Sequence, residues 1–201
     1  RRQMRAFDCG PGNIMMDYIA KQYYHVPYDK GGEIAARGQA DEEMLKELLK
    51  APFLHRPYPR SAWRDDFDTA YSEKMRQQYA HLSDEDVMAT YNAFSAECIC
   101  KCVKDFTDLS DTNVMYASGG GAYNKVLLEN IQKRLPAHMK VVTSDEIGIP
   151  PQYKEAVKFA TLAYAAMHQS ANNIPGACCA RKYAILGHIA YAPKYAKGLE
   201  D

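Results

Sequence analysis

Three times along this chain a short apolar run leads into a glycine- or proline-bearing turn and then into a stretch of helical period. That order commits a chain to α/β construction. The first instance is an apolar run at 3–7, the turn Asp8-Cys9-Gly10-Pro11-Gly12-Asn13, and a helix over 14–24 with Asn13 as its natural N-cap. The second is a run at 113–117, the turn Ser118-Gly119-Gly120-Gly121-Ala122, and a helix over 124–135 with Leu127, Leu128, Ile131 and Leu135 on its buried face. The third is a run at 139–143, a turn through Gly148, and a helix that Pro150 and Pro151 open and that runs to about His168, proline being tolerated in a first turn.

Between the first and second units lies a helical block over 41–105. Asp41 caps a helix bearing Met44, Leu45, Leu48 and Leu49, with Glu42 and Lys46 in the favourable i,i+4 orientation. A second helix covers 67–79, and Ser83 with Asp86 forms a capping-box-like start for a third, in which Val87, Tyr91, Phe94, Cys98 and Cys102 recur at helical spacing. Prolines 52, 57 and 59 make 52–59 an extended connector.

Composition narrows the function classes. With 201 residues, 47% of them hydrophobic, there is enough apolar material for one buried core. Lys+Arg and Asp+Glu balance at 25 each, so no net field recruits nucleic acid or an anionic membrane, and an anion must be held by local groups. No apolar run approaches the roughly 18 residues of a membrane span, and the chain is expected to be soluble. The six cysteines offer neither a disulfide framework nor paired C-x-x-C ligands, which suits reduced thiols in the cytoplasm. In the run Cys98, Cys100, Cys102 the outer two fall on one helix face and Cys100 on another, which fits buried packing better than a metal site. Asp65, Asp66 and Asp68 read as a charged helix start as readily as a Mg²⁺ site, and the six histidines are scattered with no metal-helix spacing.

Two loops carry candidate chemistry. Asp8-Cys9-Gly10-Pro11-Gly12-Asn13 combines an acid at a strand end, two glycines and a helix N-terminus. Bare backbone and free N–H groups favour phosphate there, and the carboxylate could serve as a general base, although a simple tight turn fits the spacing equally well. Gly119-Gly120-Gly121-Ala122 leaves room for a flat ring against bare backbone, or is only a strand-to-helix turn. It has neither the G-x-x-x-x-G-K-S/T pattern nor the G-x-G-x-x-G spacing.

Taken in order, these motifs resemble one family. FDCGPGN at 7–13 is similar to the FDTGPGN of anhydro-N-acetylmuramic acid kinases. Tyr28-Asp29-Lys30 through Gly38 resembles their YD-x-x-G-x-x-A-x-x-G, and Gly119 to Ala122 with Asn124 their GGGA-x-N. Asp145 to Pro150 resembles D-E-L-G-L/I-P, Glu155-Ala156 with Phe159-Ala160 resembles EA-x-x-FA, and Asn173-Ile174-Pro175 with Leu186-Gly187 fits the closing elements. The resemblance runs from Ala6 to about Pro193.

The resemblance implies the C-terminal lobe of a two-lobed actin-like (ribonuclease H-like) sugar kinase, a mixed sheet flanked by helices with a helical insertion, residues 1–201 forming one partial unit. It implies ATP with Mg²⁺ and an amino sugar as small-molecule partners, without nucleic acid or membrane, and leaves open a homodimer of the complete protein. The implied reaction opens the anhydro bridge of anhydro-N-acetylmuramic acid with water while the freed oxygen takes the γ-phosphate, giving N-acetylmuramic acid 6-phosphate. On this mapping Asp8 is the general base and a substrate contact. Gly10, Gly12 and Asn13 lie by the phosphates and sugar, Gly119, Gly120, Gly121 and Asn124 by the nucleoside, and Glu155 near the sugar. The family's G-T-S-x-D-G, G-G-Q-G-A-P-L and N-I-G-G-I-A-N elements should precede Asp8, yet seven residues do, so a fragment inactive by itself is expected. The alternative is a non-catalytic nucleotide- or sugar-binding remnant of the fold. Within the matched region K-S-T-G-R-E becomes Arg60-Ser61-Ala62-Trp63-Arg64-Asp65, and the Thr of FDTGPGN becomes Cys9.

Overall fold

A computed structural model describes residues 4–190. The chain divides into two compact units, residues 7–154 and residues 1–6 with 155–201, each taken by itself below.

The larger unit is built on one long helix. Its helices are α1 (Ile14–Tyr23), α2 (Glu42–Leu48), α3 (Thr69–Gln78), α4 (Asp84–Phe106) and, after strand β1 (Val114–Ala117), α5 (Lys125–Arg134), followed by strand β2 (Lys140–Thr143). Helix α4 starts where the sequence says it should: Ser83 Oγ accepts the Asp86 N–H at 3.1 Å, and Asp84, Glu85 and Asp86 complement the positive end of the helix dipole. Its Val87, Met88, Tyr91, Phe94, Ala96, Cys98 and Cys100 are buried, and α1, α2, α5 and the 3-10 turn Ala35–Arg37 pack around it. Each large apolar side chain fully buried in this way contributes about 1.5–3 kcal/mol. Phe67 meets Phe94 edge-on at 5.9 Å and Phe53 at 5.3 Å, so the segment before α3 is tied to the same helix through aromatic contacts. Asp41 caps α2 by accepting the Met44 N–H at 2.8 Å, and Asp68 caps α3 by accepting the Tyr71 N–H at 2.8 Å.

The α/β reading holds in the second and third repeats: β1 and β2 pair in parallel, Val114 opposite Lys140 and Ala117 opposite Thr143, with α5 as the crossover. Four expectations need correction. Among the described residues the sheet is a two-stranded parallel pair rather than a mixed sheet. Of the expected first strand at 3–7, Gln3 lies outside the described residues, and 4–7 forms no strand because the Asp8 N–H bonds the Arg60 carbonyl, at 2.9 Å, without a ladder beside it. Pro52–His55 is a 3-10 turn, with Pro52 in its first turn where the missing N–H costs nothing. Asn13 flanks α1 with helical backbone angles and makes no side-chain cap; its amide is turned toward Gly121 instead.

The smaller unit holds α6 (Lys154–Met167), which begins at the boundary, and a short α7 (Pro175–Cys178). Adjacent asparagines organise its return segment. Asn172 Nδ2 donates to the Leu162 and Leu186 carbonyls at 3.0 and 2.9 Å while its Oδ1 accepts the Leu186 N–H. Asn173 likewise joins the Lys182 carbonyl and the Ala184 N–H. Side-chain amides thus supply pairing that a strand would otherwise supply. No helix among the described residues is long and apolar enough to cross a membrane.

The approach of the 35–38 turn to α4 generates a prediction. A Cβ on Gly38 would stand 2.0 Å from the Glu85 carbonyl oxygen, a backbone atom that cannot swing aside. Gly38→Ala should therefore destabilise the unit by about 3 kcal/mol, at the upper end of overpacking costs, whereas exposed Gln39→Ala should stay within about 0.5 kcal/mol. Urea midpoints of the two variants check this, and equal midpoints would contradict it.

Candidate functional site

The first glycine loop lies on α4. A Cβ at Gly10 would come within 2.7 Å of the Cys98 Cβ, so only glycine fits there. Gly12 takes φ +57°, and its carbonyl accepts the Ser95 hydroxyl at 2.7 Å. Upstream, the Phe7 ring packs against Tyr58 and Phe106 at 4.7 and 4.8 Å. Asp8 is exposed, and its Oδ2 accepts the Ala62 N–H at 2.7 Å.

The second glycine loop is fixed by Asn124. Gly119 has φ +80° and donates its N–H to the Pro151 carbonyl at 3.1 Å; Gly120–Tyr123 then forms a 3-10 turn. Asn124 caps α5 by accepting the Leu127 N–H at 3.0 Å, and its Oδ1 also receives Asn92 Nδ2 at 3.3 Å. Gly32, at φ +82°, sits so close that an added Cβ would fall 2.4 Å from Asn124 Oδ1.

The two loops meet at Asn13. A Cβ built on Gly121 would lie 3.3 Å from Asn13 Oδ1, and one on Gly120 would lie 3.8 Å from Asn13 Nδ2. Beside this junction is a cavity of about 620 Å³, lined by Asn13, Tyr28, Lys30, Gly120, Tyr123 and Asn124 among others. Asp29 lies in the same wall, with its carboxylate already accepting the Ile34 and Ala35 N–H groups at 2.8 and 3.0 Å. The Asp29 carboxylate therefore holds the wall, and Lys30 and Gln152 offer the donors.

Of the residues singled out from the sequence, Asn13, Gly120 and Asn124 line the cavity, and Gly119 and Gly121 belong to its glycine loop. Asp8, Gly10 and Gly12 lie in the adjoining loop, outside the lining. Glu155 belongs to the smaller unit, where it pairs with Lys158. Sequence reasoning gave no individual role to Tyr28, Lys30, Tyr123 or Arg60. The first two fall in the YD segment that carried the resemblance, but no periodicity or spacing marks a cavity wall assembled from four separate segments.

Beneath the first loop is a group of thiols. Burial, followed by the neighbouring Cys102, pushes Cys9 up to about 12, and burial does the same to Cys98. Tyr58 Oη and Cys102 Sγ share a 3.2 Å hydrogen bond, whereas Cys100 turns away and its Sγ donates to the Ile131 carbonyl at 3.6 Å. The packing reading of the C-x-C-x-C run holds, since all three are buried. Among the described residues no group of three or more His, Cys, Asp or Glu is placed to hold a metal ion. Asp66 instead takes a bidentate bond from Arg56, at 2.8 and 2.5 Å. Against the upward push of burial, Arg56 and the Trp63 N–H hold its carboxyl below the usual range.

Comparison with known proteins gives a class first. Three curated relatives that the chain matches are kinases by name: each is called anhydro-N-acetylmuramic acid kinase. The chain is 37% identical over 187 residues to the one from Francisella tularensis subsp. novicida (strain U112), covering 92% of this chain and 49% of the relative. It is 37% identical over 186 residues to that of Shewanella halifaxensis (strain HAW-EB4), with the same coverage, and 36% over 190 residues to that of Clostridioides difficile (strain 630), covering 94% and 49%. The family model for anhydro-N-acetylmuramic acid kinase matches residues 1–192, and the chain belongs to that family. It spans about half the length of the curated relatives it matches.

The thiol group yields a prediction. A pKa near 12 leaves only about one thiol in ten thousand ionised at pH 8, and the thiolate is the form that alkylates. In native protein at pH 8, iodoacetamide should label exposed Cys178 and Cys179 quickly and leave Cys9 and Cys98, by their suppressed ionisation, and Cys100 and Cys102, by their burial, until denaturant is added. Peptide mass spectrometry reads the sites, and native labelling of Cys9 as fast as Cys178 would refute the burial argument.

Proposed function

We propose that this chain is the C-terminal lobe of an actin-like, ATP-dependent amino-sugar kinase acting on anhydro-N-acetylmuramic acid. The observation that carries the proposal is the meeting of the two glycine loops at Asn13, beside the cavity of about 620 Å³. Bare backbone at Gly119, Gly120 and Gly121 suits the nucleoside, with the exposed rings of Tyr28 and Tyr123 at the rim. The phosphates then run toward Gly10, Gly12 and Asn13, where glycine backbone permits close approach. Mg²⁺ would be held chiefly by the phosphate oxygens of the nucleotide and would supply charge neutralisation for the transferred group. The assignment of Glu155 to the sugar rests on the family resemblance alone.

Asp8 is the general base in this reading. One carboxylate oxygen is engaged by the Ala62 N–H, and the carboxylate is exposed, which leaves lone pairs within reach of a water molecule. The water adds to the anomeric carbon as its proton passes to Asp8; the anhydro C–O bond breaks, and the released oxygen bonds the γ-phosphorus as ADP leaves. Removing the base should cost about 10²–10⁴-fold in kcat, because it acts in the transition state, with little change in ATP affinity.

The test joins this chain to the half that the relatives possess in addition. The parent should transfer phosphate to the anhydro sugar, while the 201-residue chain alone should not. Asp8→Asn should lose kcat by about that factor while binding ATP with the parent's affinity. Turnover of Asp8→Asn within a few-fold of the parent would remove Asp8 as base. A completed protein that binds ATP but transfers nothing would mark a remnant that binds without catalysis.

A further inference from the structure

We infer that Arg60 is the positioning residue for Asp8, an inference that rests on the reading of Asp8 as the general base. Arg60 is a cation only 7% exposed. Its guanidinium lies over the rings of Tyr58 and Phe53, at 4.2 and 4.5 Å from their centroids. The planar group is thereby packed against two rings, and its N–H donors point outward in its plane.

Those donors reach carbonyls on two segments. Nη1 donates to Leu54, Phe53 and Arg56 at 2.8, 3.1 and 3.4 Å, which fixes the guanidinium to the 3-10 turn and its exit. Nε donates to the Asp8 carbonyl and Nη2 to the Cys9 carbonyl, both at 3.3 Å. The Arg60 carbonyl, in turn, accepts the Asp8 N–H at 2.9 Å. The peptide groups on both sides of the Asp8 Cα are therefore held by a single residue. Two positions further along, the Ala62 N–H meets Asp8 Oδ2 at 2.7 Å.

This geometry makes the carboxylate's direction a consequence of Arg60. The guanidinium fixes the backbone of residues 8 and 9, and its own backbone sets the register of the segment that presents the Ala62 N–H. A carboxylate on a one-carbon stem can rotate freely about χ1 unless its backbone and one oxygen are both held. A general base must be aimed to within a fraction of an ångström, which is the work of a rigid supporting layer. A methionine at 60 would fill similar volume and still pack against the rings, but it donates no hydrogen bond.

The test reads the Asp8–Ala62 hydrogen bond directly by ¹H–¹⁵N NMR of the full chain across the acid titration of carboxylates. In the parent, the Ala62 amide proton should shift as Asp8 titrates, and this response should vanish in Asp8→Asn, which identifies its source. In Arg60→Met the Ala62 response should be lost while the amide shifts of α4 residues keep their native positions, a combination that a general loss of structure would not produce. If Arg60→Met does not fold, Arg60→Gln, shorter and with fewer donors, carries the same reading. An Ala62 response unchanged in either folded variant, or absent from the parent, would overturn the inference. Because the readout is a hydrogen bond and not turnover, its failure is separate from that of the base assignment, which Asp8→Asn tests in the completed enzyme.

Discussion

The contact between Gly10 and Cys98 leaves no space for a side-chain atom, and much of the larger unit is arranged to maintain it. Cys98 lies on the buried face of α4, so the loop can approach only where that helix presents a small residue. One turn earlier, Ser95 donates to the Gly12 carbonyl, anchoring the other glycine of the loop to the same helix. The loop's shape is thus referred to α4, and α4 is itself held by burial on several sides. A fixed loop of bare backbone presents N–H groups whose directions are paid for at folding, which suits a phosphate site better than a loop ordered only on binding.

The second loop reaches the same helix through polar contacts. Asn92 on α4 donates to Asn124 and accepts from Asn130 Nδ2 at 2.9 Å, while Arg134 Nε on α5 bonds Glu97 at 2.8 Å. Buried amides cost free energy when unpaired, so this chain is worth having only because its members satisfy one another. Its effect is to set the N-terminus of α5, and with it the glycines before Asn124, relative to α4. Asn13 then lies against those glycines from the first loop. Both candidate loops are consequently positioned by one helix, one through steric contact and the other through an amide network.

What was legible in the sequence was local. Asp41, Asp68 and Ser83 each act within three residues of themselves, and the caps of α2 and α4 could be read directly from spacing. Asn13 has the same chemistry as these residues but faces a tertiary neighbour, Gly121, that sequence spacing cannot see. The run at 3–7 has strand composition, yet a strand is completed by a partner, and its meeting with Arg60 comes from more than 50 positions away. Arg60 stands in the segment aligned with K-S-T-G-R-E, and no spacing marks a role for it. Its role depends on the rings of Phe53 and Tyr58 and on carbonyls from two segments, none of which forms a motif.

The departures from the family pattern can be weighed on the same physical grounds. Ala62 stands where the family pattern has threonine, but its contribution to Asp8 is a backbone N–H, which any residue except proline supplies. Trp63 replaces a glycine and is 75% exposed, so its indole displaces nothing from the core; its N–H to Asp66 is again a main-chain bond. Cys9 replaces a threonine and joins a packed group of thiols, where a small polarizable side chain fits and burial keeps it protonated. These three of the departures fall where the structure uses backbone or small volume, whereas Arg60, at the lysine of the pattern, keeps a cation whose side chain is used, and Gly10 and Gly32, where a Cβ would collide, keep their glycines. A site tolerates change at a position to the extent that its geometry is carried by the main chain there. By that criterion Cys9, Ala62 and Trp63 can vary and still leave one carboxylate in one place, as long as the Arg60 guanidinium is kept.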